Sequence, residues 1–257
     1  MQLTMLPSAF APGGDNPHQF LTSYVVNGTL AVDCGSLGFC RPPAEQALIR
    51  HILVTHSHID HVASLPIFVE NTYDPQAPAV VVHGSAAALD SLRRDLFNGR
   101  IWADFVALSP ADAPFLRLEE LPPGKTVELE GLRVTPVEVD HTVPTCGYIL
   151  EDGSTAVIIT SDTGPTAEIW ERANRLATLK AVFLEVSFPD RLADLAVITK
   201  HLTPASFGRE VKKLTRPARV IAVHLKSRFY AEIVAELSAL GLSNVEVVQP
   251  GHVYDFR

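Results

Sequence analysis

Short runs of consecutive apolar residues alternate along the chain with stretches of helical spacing, and glycine or proline marks most junctions. Residues 21–26 and 29–32 flank Asn27-Gly28, a pair that tolerates positive φ and predicts a tight hairpin. Residues 52–55 predict a short strand, 79–82 a buried strand and 86–97 a helix. A second set follows the same plan. Strands are expected at 127–129, 132–139, 148–150 and 156–160, with Glu151-Asp152-Gly153 as a turn. A helix at 167–176, a strand at 181–184, a helix at 205–214, a strand at 220–223, a helix at 230–240 and a strand at 245–248 complete it. Two β-rich halves, each with helices, predict two sheets packed face to face with helices outside, an α/β sandwich. No repeat, low-complexity tract or linker interrupts the pattern, so residues 1–257 read as a single domain.

Composition narrows the classes. With 47% hydrophobic and 19% charged residues, the chain can build a core large enough to hold a polar site rigidly. Its formal net charge of -8 repels a long nucleic-acid polyanion but tolerates a small anion held by bound cations. Cys34, Cys40 and Cys146 cannot form a disulfide framework, and none of them make a C-x-x-C pair, so they are expected as plain thiols. Residues 1–5 lack a basic flank followed by an apolar stretch, and no apolar run approaches membrane-spanning length. A cytoplasmic protein without a membrane partner is expected.

The decisive segment is Thr55-His56-Ser57-His58-Ile59-Asp60-His61. After a strand, alternation aims His56 and His58 the same way, while Asp60 and His61 fall at the start of a helix. Imidazole nitrogens and a carboxylate are ligand types that suit zinc and similar ions. Further candidates stand at strand ends, where an α/β scaffold presents its functional groups: His141 after Asp140, Asp162 in Ser161-Asp162-Thr163-Gly164, and His224. No G-x-S-x-G is present, which leaves nucleophilic serine catalysis without support.

H-x-H-x-D-H followed in order by a strand-end His, an Asp and a final His resembles the metallo-β-lactamase superfamily over nearly the whole chain. The resemblance implies a four-layered αββα sandwich. It also implies one metal on His56, His58 and His141 and a second on Asp60, His61 and His224, with Asp162 bridging. Asp33 matches the acidic residue that supports such ligands from behind. Two divalent ions are therefore expected, zinc first, although the same ligands accept manganese or iron.

Four more segments are similar to class II cyclic-nucleotide phosphodiesterases. They are Leu96-Phe97-Asn98-Gly99-Arg100-Ile101-Trp102-Ala103-Asp104-Phe105, Phe183-Leu184-Glu185-Val186-Ser187-Phe188, Lys200-His201-Leu202-Thr203-Pro204 and Val223-His224-Leu225-Lys226. That likeness implies hydrolysis of a 3′,5′-cyclic nucleotide, with Asp60 acting on the nucleophile, His201 as proton donor and Glu185 holding its other ring nitrogen. The chain departs from the family pattern at Ile59, at Ser64 and in the bulky Leu65-Pro66-Ile67-Phe68. A small phosphodiester is the expected partner; a homodimer is compatible with the sequence. The nearest rival is a tRNA 3′-processing endonuclease of the same superfamily, which also uses such a Glu–His pair but needs a Lys/Arg-rich arm that this chain lacks. A thioesterase or glyoxalase-II-like hydrolase has less use for His201, and an intact ligand set argues against a non-enzymatic metal sensor.

Overall fold

A computed structural model describes residues 1–8 and 18–257. The chain divides into two compact units, one formed mainly by Leu21–Pro122 and the other mainly by Pro123–Gln249.

The first unit carries strands β1 (Gln2–Met5), β2 (Tyr24–Val26), β3 (Leu30–Val32), β4 (His51–Leu53), β5 (Val80–Gly84) and β6 (Leu116–Glu120). The second carries β7 (Val127–Leu129), β8 (Leu132–Val139), β9 (Thr145–Glu151), β10 (Ala156–Ile159), β11 (Leu179–Glu185), β12 (Arg219–Val223) and β13 (Val245–Val247). β14 (Val253–Asp255) returns to the first sheet and pairs with β1. The sheet orders are β14-β1-β2-β3-β4-β5-β6 and β13-β12-β11-β10-β9-β8-β7. Each sheet is antiparallel through its first four strands (β14-β1-β2-β3; β7-β8-β9-β10) and parallel through the rest. The two halves thus follow one plan, as the repeated alternation of runs predicts, and the α/β class is the observed one.

The parallel strands explain the unbroken apolar runs. Ile158, Val182, Leu184, Val220 and Ala222 join Ile169, Trp170, Phe207, Val211, Ile233 and Leu237 of the helices in one core, while the alternate residues Val157, Ala181, Phe183 and Ile221 are buried as well. In the first unit Ala31, Ile52, Val54, Val80 and Val82 pack with Leu65, Phe68, Leu89 and Leu92. Each such Leu, Ile or Phe contributes roughly 1.5–3 kcal/mol by leaving water.

The predicted hairpin forms, with Asn27 at φ 50 and Gly28 at φ 81, but its first strand begins only at Tyr24. Thr22 instead donates its N–H to the Asp60 carbonyl at 2.8 Å and accepts from the Gly35 N–H at 2.9 Å. The helix expected at 86–97 holds, but its last turn widens: the Phe97 N–H reaches back to the Leu92 carbonyl. All three cysteines are free thiols. Among the described residues no helix is long and apolar enough to cross a membrane.

Candidate metal centre

Functional side chains stand at or just past the carboxyl ends of strands in both sheets. In the first unit, the chain leaves β4 and runs through Val54 and Thr55 to His56, and His58 is the extended residue (φ -64, ψ 144) that starts the short helix Ile59–Val62. The segment is locked in place by its neighbours. Cys34 N–H donates to the His61 carbonyl at 2.7 Å, and a Cβ at Gly35 would collide with the Asp60 backbone oxygen, so only glycine lets the loop after β3 approach this closely. Ser64, a departure from the family pattern, donates to the Cys34 carbonyl and accepts from the Gly38 N–H, both at 2.8 Å. Its hydroxyl thereby ties the helix to the same loop.

Asp33 is the hub. Fully buried, it stands just past β3 at φ 60, a conformation that costs a non-glycine residue about 1–3 kcal/mol and points to a functional constraint. Oδ1 accepts the Thr55 N–H at 2.8 Å; Oδ2 accepts the Thr55 hydroxyl at 2.9 Å and His61 Nδ1–H at 2.6 Å. Burial raises the carboxyl above the usual range, against the lowering pull of His61 and Thr55. Because the Thr55 hydroxyl donates to Asp33, it accepts from His56 Nδ1–H at 3.0 Å. Both histidines are thus held in the tautomer that leaves Nε2 as a lone-pair donor, the arrangement typical of metal-ligating imidazoles. His56 Nε2 and His58 Nδ1 stand 3.0 Å apart, close to the roughly 3.3 Å expected for two nitrogens on one tetrahedral cation with Zn–N near 2.0–2.1 Å. Asp60 and His61 likewise offer donor atoms within 4.8 Å of one another.

The second unit repeats the device. β8 ends at Val139, and His141 follows with Nδ1–H donating to the Lys200 carbonyl at 3.1 Å and Nε2 at 4.0 Å from Asp162 Oδ2. Asp162 follows β10 through Ser161 at φ 62; His224 follows β12 at φ 62, with Nε2 at 3.4 Å from Asp162 Oδ1. Here the hub is Glu185, the last residue of β11 and fully buried. Oε1 accepts from Thr163 N–H at 3.0 Å and His201 Nδ1–H at 2.7 Å; Oε2 accepts from the Ser187 hydroxyl at 3.0 Å and Leu202 N–H at 3.3 Å. Ser187, donating to Glu185, accepts His224 Nδ1–H at 2.9 Å. An acid, a hydroxyl and an imidazole are therefore linked in each unit: Asp33, Thr55 and His56 in one, Glu185, Ser187 and His224 in the other.

His201 lies among these groups, its donor atom within 4.8 Å of those of Glu185 and His224. Its ring stacks on His224 with centroids 5.6 Å apart and meets His141 edge-on at 5.0 Å. Burial opposes its protonation, but the charge and hydrogen bond of Glu185, together with Asp162, raise its titration above the ordinary histidine value. The Lys200 backbone, at φ 53, makes the turn that delivers it.

Within the first unit the donor atoms of His56 and His58, and those of Asp60 and His61, lie within 4.8 Å of one another; within the second the same holds for His141 and Asp162, for Asp162 and His224, and for Glu185, His201 and His224, a trio that could itself hold a metal ion. The donor set, imidazole Nε2 atoms with carboxylates, fits a divalent transition metal. Sequence reasoning missed Thr55 and Ser187, which fix the ligand tautomers, and the Lys200 carbonyl behind His141. Thr55 and Ser187 adjoin recognised motifs, but nothing in a hydroxyl's sequence position marks it as a relay.

Comparison with known proteins follows this geometry. Residues 35–225 match the model of the β-lactamase superfamily domain. The probable 3′,5′-cyclic-nucleotide phosphodiesterase of Yersinia pestis is 28% identical over 182 residues, 65% of this chain and 51% of that protein. The ribonuclease Z of Methanopyrus kandleri is 33% identical over 144 residues, 54% of this chain and 46% of that protein. The chain spans about half the length of these curated relatives. The crystal structure of unliganded yeast PDE1 superposes with a TM-score of 0.78 at 18% identity, covering 98% of both chains, a likeness of fold.

Proposed function

We propose, for a chain that belongs to the metallo-β-lactamase superfamily of hydrolases, that residues 1–257 form one hydrolase domain that opens 3′,5′-cyclic nucleotides, cyclic AMP or cyclic GMP, to the 5′-monophosphate. The ligand sets are those the family motif implies: His56, His58 and His141 for one divalent ion, Asp60, His61 and His224 for the other, and Asp162 for both, with zinc the first choice. Such ions, when bound, supply Lewis acidity toward the phosphoryl oxygens and acidify a coordinated water.

The observation that carries the reading is the Glu185–His201 pair. Hydrolysis adds water oxygen to phosphorus and breaks the bond from phosphorus to the 3′-oxygen, which leaves as a poor alkoxide unless it is protonated. Asp60 orients the attacking water and accepts its proton. His201, with Nδ1–H fixed on Glu185 at 2.7 Å, offers Nε2–H to the leaving oxygen, and its raised titration favours that protonated form. A thiolate leaving group would need no such donor, which supports an oxygen ester over a thioester. The net charge of -8 supports a small phosphodiester over a long RNA, with no membrane partner.

A second reading is supported by several ribonuclease Z relatives, one of them 33% identical over 144 residues. One panel separates the two: metal-loaded protein against cyclic AMP, cyclic GMP, bis-p-nitrophenyl phosphate, a tRNA precursor, a thioester and a β-lactam. Turnover of a cyclic nucleotide far above the other natural substrates is expected. Efficient precursor cleavage without cyclic-nucleotide turnover refutes the proposal in favour of the nuclease.

A further inference from the structure

The segment Leu96 to Phe105, so specific in sequence, has no part in either ligand group. Its polar residues are builders. Asn98 Oδ1 accepts the N–H groups of Arg100 and Ile101, both at 2.9 Å, while its Nδ2 donates to the Arg94 carbonyl. Gly99, at φ 69, closes the loop by donating to the Trp102 carbonyl at 2.9 Å, and the Asp104 carboxylate caps the next helical turn at Ala107 N. Phe97 anchors the loop in the core, 1% exposed. What the loop presents, Trp102 and Phe105, is only partly buried.

These two rings, with Tyr73, Leu108 and Phe115, line a cavity of about 470 Å³ within the first unit, a size ordinary for small-molecule sites. Its aromatic walls stand at steep angles to one another: Tyr73 on Phe115 at 88° and Phe105 on Phe115 at 81°. One lining residue is charged, Glu70, on the helix Leu65–Asn71. Among the described residues its carboxylate has no ion-pair or hydrogen-bond partner. An open, largely aromatic hollow with one unpaired carboxylate among its lining residues has the electrostatics that recognise a cation carrying apolar groups, through the rings and the charge together.

We propose that this cavity binds a small organic cation with an apolar body, an alkyl- or arylalkylammonium. The rings take the apolar part and the polarised methyl or methylene groups beside the nitrogen, and Glu70 neutralises the charge. A neutral molecule of the same shape forgoes both electrostatic contributions, and an anion meets Glu70 and the negative ring faces.

Benzyltrimethylammonium is the probe, titrated into the full-length protein by calorimetry and followed by tryptophan fluorescence. Of the two tryptophans, Trp170 is 2% exposed, so a ligand-dependent change reports on Trp102. Saturable binding is expected with a matching fluorescence change. Neopentylbenzene, its uncharged isostere, should bind roughly tenfold more weakly, and benzenesulfonate not at all. Glu70→Gln, an exposed substitution that leaves the core intact, should weaken the ammonium roughly three- to tenfold while leaving the isostere unchanged. Trp102→Leu should weaken both. Absence of saturable binding, equal affinity for the isostere, or a Glu70→Gln protein that binds the ammonium as well as the parent each overturns the proposal.

Discussion

Glu185→Gln is the most exacting single change the site allows, because it alters no volume and removes one charge. The carboxylate accepts four hydrogen bonds, two on each oxygen. An amide keeps one oxygen and turns the other into a donor. If the NH₂ replaces Oε1, it faces the Thr163 N–H, held at 3.0 Å, and forces His201 to turn its Nδ1 into an acceptor. If it replaces Oε2, Ser187 can rotate to accept from it and pass its own proton to the His224 carbonyl at 3.3 Å. Only the Leu202 N–H, already on the longest of the four bonds at 3.3 Å, is then left without an acceptor. The second arrangement wins. One buried N–H without an acceptor costs about 1–3 kcal/mol, and His201 Nδ1–H keeps its partner with a weaker, neutral bond. Urea unfolding of the metal-depleted protein should therefore show Glu185→Gln less stable by about 1–3 kcal/mol at unchanged slope. Its turnover on a cyclic nucleotide should fall less than that of His201→Ala. Stability within about 0.5 kcal/mol of the parent, or a turnover loss equal to that of His201→Ala, would refute this account of the network.

Three further outcomes follow from the same geometry. His201→Ala should retain its metal and lose roughly 10²–10⁴-fold in turnover of a cyclic nucleotide, while a p-nitrophenyl ester, whose leaving group needs little protonation, is largely spared; loss of metal, or equal losses on both substrates, contradicts proton donation. His58→Ala should lose at least one bound ion by elemental analysis without changing the far-ultraviolet circular dichroism, since the side chain is half-buried at the start of a short helix. Thr55→Val keeps shape but removes the hydroxyl between Asp33 and His56; metal affinity should fall about 10–100-fold, and an unchanged dissociation constant would show that His56 needs no fixed tautomer.

Elements were legible where burial and periodicity agreed. The parallel strands β5 and β10 to β12 announce themselves as apolar runs because both faces leave water. The strands that escaped, β1, β6 and β14, are short or lie at an edge; β6 reads Leu-Arg-Leu-Glu-Glu because an outer strand keeps one side and its charges in solvent. The helix Ala193–Thr199 escaped for the opposite reason, since Leu195, Val197 and Ile198 are exposed and leave it no apolar stripe.

Local order along the chain determined the chemistry on offer. Four ligand-type residues between His56 and His61, and single ones at the ends of β8, β10 and β12, are spacing effects that a strand followed by a tight turn imposes without reference to distant residues. What only tertiary structure decided is which atom of each residue is presented. Nε2 of His56, His61 and His224 is the nitrogen presented because Asp33, Thr55 and Ser187 hold the opposite one, across separations of up to 37 residues. His201, the proposed proton donor, owes its orientation to Glu185, 16 positions away, which closes on its Nδ1. A histidine's two nitrogens are identical to any reading of sequence; a hydrogen bond from one of them is what assigns the other its work.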